Sequence, residues 1–149
     1  MLNEEIQKDL IRAMKAKDAT TVSTLRMLTS AIMYYKLEKG EDRRDVKDED
    51  VVNVVQREIK KRRESVELYR KGGREEQAVK EEEEIIVLKK YLPEQMSEEE
   101  VRKIVRETIS QTGASGQSDM GKVMGALMPK TKGKADGAMV SRIVREELQ

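Results

Sequence analysis

Residues 48–93 read DEDVVNVVQREIKKRRESVELYRKGGREEQAVKEEEEIIVLKKYLP. In its first half Val51, Val52, Val55, Ile59, Val66 and Tyr69 recur at helical spacing, which predicts one long helix opening at Asp48. Gly72-Gly73 is a natural stop, because glycine accepts the positive φ with which helices commonly end. The spacing predicts a second helix from Arg74 to about Leu92, carrying Val79, Ile86 and Leu88, with Pro93 ending it. Folding the chain back at Gly72-Gly73 sets Val66 against Val79 and Ile59 against Ile86. Each pair lies a heptad from the next, as an antiparallel seam requires. The same register lays the basic run Lys60–Arg63 along the acidic run Glu81–Glu84, with Arg62 near Glu83. The expectation is a helical hairpin zipped by exposed charge pairs, each contributing little alone.

Outward from the hairpin the pattern stays helical. A first helix is expected from Asn3, as its N-cap, to Ala16, with Ile6, Leu10, Ala13 and Met14 on one face. Asp18 can cap a second, whose stripe is Val22, Leu25, Leu28, Ala31, Ile32 and Tyr35 and which ends near Gly40; residues 41–47 form a charged, exposed connection. After Pro93, Ser97-Glu-Glu-Glu100 is a capping box that starts a fifth helix with Val101, Ile104, Val105 and Ile109 inward. A sixth helix is expected over about 118–128. A seventh starts near Asp136 and uses Met139, Val140, Ile143, Val144 and Leu148. The fold class is therefore all-α, with two helical bundles. Residues 1–93 make an N-terminal multi-helix bundle with the long hairpin, and residues 94–149 a small three-helix domain, the boundary lying at Pro93–Ser97.

Composition narrows the function. Of 149 residues, 40% are charged and only 3% aromatic, all tyrosine, so the core must come from Val, Ile, Leu, Met and Tyr. With 30 basic and 29 acidic residues the net charge is +1, which leaves no global field to draw in nucleic acid. The absence of Cys and His removes thiolate nucleophiles, disulfides, the common zinc sites and every histidine-based triad. No catalytic constellation, metal or cofactor is expected. No apolar run nears the roughly 20 residues of a membrane span, and the polar start Met-Leu-Asn-Glu-Glu is unlike a targeting peptide, so a cytoplasmic protein is expected.

The other informative run is DMGKVMGALMPKTKGKADGAMV, residues 119–140. Gly116–Val123 nearly spells a phosphate-binding loop. However, Val123 stands where Ser or Thr would hold magnesium, Asp119 puts a carboxylate where phosphate would lie, and no strand precedes it. Gly121 and Gly125 share a helix face, which suggests close packing against a neighbour, and Met120, Met124 and Met128 read as adaptable core. Lys122, Lys130, Lys132, Lys134, Arg142 and Arg145 stand against Asp136 alone, a local balance of +5. Part of it is expected on a loop after a proline stop, where flexible lysines reach phosphates. Without interleaved aromatics, backbone contact with structured RNA fits better than base stacking.

This run, with Ala13-Met-Lys-Ala-Lys-Asp, Leu25-Arg-Met-Leu and Tyr91-Leu-Pro-Glu, resembles the YqeY/GatB family over essentially the whole chain. The resemblance implies two unlike helical bundles. The second is shared with the tail of GatB, the B subunit of tRNA-dependent amidotransferases, where it handles tRNA. Similar segments are joined to some glutaminyl-tRNA synthetases. The matching positions are Gly121, Lys122, Gly125, Lys130, Lys132, Gly133, Lys134, Ala135 and Asp136. The implied label, carbon–nitrogen ligase with glutamine as amido-N-donor, belongs to a catalytic cradle of GatB that this chain lacks. The expectation is a non-catalytic module with tRNA, and an aminoacyl-tRNA synthetase or amidotransferase, as partners. Lys122, Lys130, Lys132, Lys134, Arg142 and Arg145 would bind RNA, and Gly121, Gly125, Gly133 and Asp136 would shape the motif. The alternatives are a protein-interaction adaptor docking through the N-terminal bundle and an amidotransferase component active only in a larger assembly.

Overall fold

The computed structural model describes residues 1–149 and contains seven α-helices and no strand. They are α1 (Leu2–Ala16), α2 (Ala19–Glu38), α3 (Asp48–Lys71), α4 (Glu75–Lys89), α5 (Glu98–Thr112), α6 (Met120–Thr131) and α7 (Gly137–Glu147), with a 3-10 turn (Gln117–Asp119) before α6. The chain divides into two compact units, Met1–Leu92 and Pro93–Gln149.

In the first unit local chemistry sets most helix ends. The Asp18 carboxylate accepts from the Thr21 backbone N–H at 3.2 Å and from its hydroxyl at 2.7 Å, and the hydroxyl bond most of all holds this carboxyl below the usual range. Asn3 does not cap α1, which already starts at Leu2. The Leu2 N–H donates instead to Asp48 Oδ1 at 2.9 Å, a cap supplied by the start of α3. The 41–47 connection is largely exposed but anchored. The fully buried Lys36 ammonium bridges Glu41 and Asp50, and Asp50 Oδ2 also accepts the Lys47 N–H at 2.9 Å.

The α3–α4 hairpin forms, but its seam differs from the expected one. Val79 and Ile86 face outward at 42% and 67% exposure, and the buried positions of α4 are Ala78, Glu84, Ile85 and Leu88. The inward set begins one residue earlier because the three-residue turn Gly72–Arg74, with Gly73 at φ 72°, fixes the rotation at which α4 starts. One residue turns a helix face by about 100°. Beside so short a turn the helices start side by side, where the Ala78 methyl fits. Charge does bridge the hairpin, at the exposed Arg70–Glu82 pair and where Arg62 meets the acidic run, but the expected exposed Arg62–Glu83 pair is corrected. Arg62 is buried, 3.1 Å from Glu58 Oε1 and 3.4 Å from Glu84 Oε2, so this is an interior cluster centred on Glu84 rather than Glu83.

The second unit packs Val101 and Val105 of α5, Val123 and Leu127 of α6, and Val140, Ile143 and Val144 of α7 into one core. Ser97 and Glu100 form the expected box, each accepting from the other's backbone N–H, at 3.2 and 2.8 Å. Pro129 does not stop α6, which runs on to Thr131. In the last turn a proline removes only one helical N–H bond, and the Lys132 N–H still reaches Met128 O at 3.0 Å. Gly121 and Gly125 are exposed, and a Cβ at either would meet no atom within 4 Å. Close packing is therefore not their role. Met120 and Met124 pack partly on the core, whereas Met128 is 49% exposed.

Candidate nucleic-acid interface

The lysine run after α6 is a tight turn rather than a flexible loop. Lys130 is still helical, and its ammonium lies 3.3 Å from Thr108 Oγ1 and 3.4 Å from Gln111 Oε1 on α5. Thr131 is buried and its hydroxyl donates to Leu127 O at 3.2 Å. The N–H groups of Lys134 and Ala135 both return to Thr131 O, at 2.9 and 3.1 Å. Gly133 takes φ 77°, a left-handed conformation that favours glycine, and is buried. Two bonds from the segment before α5 clamp the turn: Gln95 Nε2 to Gly133 O at 2.9 Å and Met96 N–H to Lys134 O at 2.8 Å.

Burial alternates along this turn. Thr131, Gly133 and Ala135 are buried, and Lys130, Lys132 and Lys134 between them are exposed. The chain reverses here, with the Lys134 and Ala135 N–H groups folded back on Thr131 O and Gly133 left-handed, and this turn puts the small residues against the core and the lysines at the surface. Asp136 then caps α7, accepting from the Ala138 N–H at 3.2 Å. The result is a ledge of exposed lysines on a backbone held by hydrogen bonds.

The six cations do not form one cluster. Lys122 is exposed in the first turn of α6, at the end opposite the lysine turn. Arg145 is exposed on α7, its carbonyl accepting from Gln117 Nε2 at 2.9 Å beside the start of α6. Arg142 is committed elsewhere. Its guanidinium pairs with Glu98 at 2.8 Å and Glu146 at 2.9 Å, within a lattice in which Arg102 reaches Glu146 and Glu147 at 2.7 and 2.8 Å and Arg106 reaches Glu147 at 3.0 Å. Arg142 thus serves to tie α7 to α5. The phosphate-loop look-alike folds as a 3-10 turn, in which Asp119 Oδ2 accepts the Ser115 N–H at 3.0 Å. Gln95 and Met96, which clamp the lysine turn, had no signal in the sequence, since a side-chain amide and a main-chain N–H carry no motif.

A family model described as Yqey-like protein matches residues 3–148, and the chain belongs to that family. Among curated proteins, a 58-residue stretch is 43% identical to the E subunit of glutamyl-tRNA(Gln) amidotransferase from Thermococcus gammatolerans, covering 36% of this chain and 9% of that protein. Its counterpart in Thermococcus sibiricus is 45% identical over 58 residues, with the same shares. An uncharacterized protein of Schizosaccharomyces pombe is 35% identical over 96 residues, which are 64% of this chain and 76% of that one. The chain thus spans about a tenth of the length of the amidotransferase subunits it resembles, and it is related to them through that stretch alone. No helix is long and apolar enough to cross a membrane.

Proposed function

We propose that this protein is a non-catalytic, cytoplasmic tRNA-binding module that serves a tRNA-modifying or tRNA-charging enzyme. The observation that carries the reading is the clamped Pro129–Asp136 turn, which holds the backbone still while presenting Lys132 and Lys134 outward. Kinship with a subunit named for glutamyl-tRNA(Gln) supports tRNA as the ligand. Ammonium groups on a fixed ledge are suited to phosphates of a folded RNA, whose shape rather than sequence is then read. Lys130, at the end of α6, stands beside them, and Lys122 and Arg145 extend the contact toward the other end of that helix. The same kinship supports a second reading, in which the protein takes part in amide transfer from glutamine only inside a larger assembly.

Titration of the full chain with total tRNA at two salt concentrations tests the proposal. Replacing Lys132 and Lys134 by Ala should weaken binding several-fold and lower the salt slope by about one to two units, near 0.9 for each phosphate no longer neutralised. An unchanged affinity and slope would remove the turn from RNA binding. Release of ammonia from glutamine by the chain alone would contradict the non-catalytic assignment.

A further inference from the structure

The first unit carries two unpartnered faces of opposite character. One is a groove of about 570 Å³ between α2 and α3, floored by Met27, Ala31, Tyr34 and Val54. Met27 and Tyr34 are 50% and 63% exposed, one heptad apart on α2. Arg26 and Arg57 line the groove and neither has a carboxylate partner; Arg57 lies 5.0 Å from the Tyr35 ring. Of the two acidic residues lining it, Glu58 is already held by Arg62 and Lys61, at 3.1 and 3.3 Å, which leaves Glu38 alone against the two guanidiniums. The groove is apolar with a basic rim.

The other face is the outer side of α4. Val79 and Ile86 form an exposed apolar stripe with the same heptad spacing as Met27 and Tyr34. Glu76 and Glu83 flank it and are exposed without a cation partner, while Glu75 and Glu82 on the opposite flank are taken by Arg70. An apolar stripe edged with free carboxylates is the chemistry the groove fits, as an amphipathic helix fits a groove.

We infer that the outer face of α4 docks into the α2–α3 groove of a second copy of this chain. The apolar stripe would cover Met27 and Tyr34, and Glu76 and Glu83 would meet Arg26 and Arg57. Two copies that exchange α4 make this contact twice about a two-fold axis and close as an isologous pair, whereas a single head-to-tail contact is heterologous and extends. One helix face against one groove is smaller than a standard stable interface, which makes the association weak and concentration-dependent.

The test is sedimentation equilibrium of the full chain from about 5 μM to about 1 mM, the range spanning that weak association. The expected result is a mass rising above 17.1 kDa with concentration. Ile86→Ser and Arg57→Glu should each weaken association at least about tenfold, and Glu83→Arg should restore part of it to Arg57→Glu. Helical circular dichroism confirms that each variant is folded. A constant monomer mass, or association indifferent to both faces, overturns the inference. Loss of single-stranded oligouridine binding in Tyr34→Ala, with the mass constant, would give the groove to RNA and equally overturn it.

Discussion

Lys17 and Arg62 show how single residues carry costs that the rest of the structure must offset. Lys17 closes α1 at φ 57° and ψ 34°, a left-handed conformation that costs an L-residue roughly 1–2 kcal/mol. Lys17→Gly should therefore raise the unfolding free energy by up to about 1 kcal/mol in urea titration; a loss of stability would mean the Lys17 side chain does more than end a helix. Arg62 places a guanidinium among buried residues between Glu58 and Glu84, with its Nε 3.4 Å from Glu84 but not aligned to donate to it. Arg62→Met should cost about 3–5 kcal/mol because it leaves the buried Glu84 without its cation and Glu58 with the exposed Lys61 alone. Adding Glu84→Gln should recover part of that loss, whereas Glu83→Gln, on the exposed side, should recover none. Equal rescue by the two would refute the burial that separates them.

Among the elements, α6 departs most from the expectation, running through Pro129 and exposing its glycines. Gly125 lies inside a helix with open space around its α-carbon, where alanine is favoured by about 1 kcal/mol. Gly125→Ala should therefore stabilise the second unit by about that amount. If it also weakens tRNA binding, the glycine is kept for the ligand and not for the fold; if it destabilises the protein, the open space is wrong. The hairpin was legible as two helices and a stop, because periodicity and Gly72-Gly73 state these directly. Its facing residues were not legible. Ile85-Ile86-Val87-Leu88 is an unbroken apolar run, so neighbouring rotations of α4 score alike until the turn selects one.

At the scale of the molecule, ion pairs dominate the response to pH. Asp50 is pushed up by burial, but the Lys47 N–H and the Lys36 ammonium outweigh this and hold its carboxyl below the usual range. Glu98, Glu146 and Glu147 are held low by their arginine partners, first Arg142, Arg102 and Arg106 respectively. Each depressed carboxyl contributes stability that is fully present above its unfolded value, near 4, and is lost as pH falls through the folded one. Thermal melts should therefore drop below about pH 4. Glu81 works in the opposite direction, raised by burial and then by the neighbouring Glu84 carboxylate. Its ionised form opposes folding at neutral pH, and that opposition is relieved as pH falls through its raised value. Glu81→Gln should raise the melting temperature at pH 7 and lose its advantage in acid; the same gain at both pH values would sink the assignment.

Helix content, most helix ends and the basic bias of residues 120–145 were all readable from the string. Each depends on neighbours within a few residues: apolar spacing, capping side chains, glycine and proline, local charge. Tertiary packing alone decided which one of two adjacent rotations α4 adopts, that Arg62 meets Glu84 and Lys36 meets Asp50 in the interior, that Arg142 is spent on Glu98, and that Gln95 and Met96 hold the lysine turn still. Those outcomes join residues from about 14 to 44 positions apart, and a pairing at that range leaves no periodicity in the chain to read.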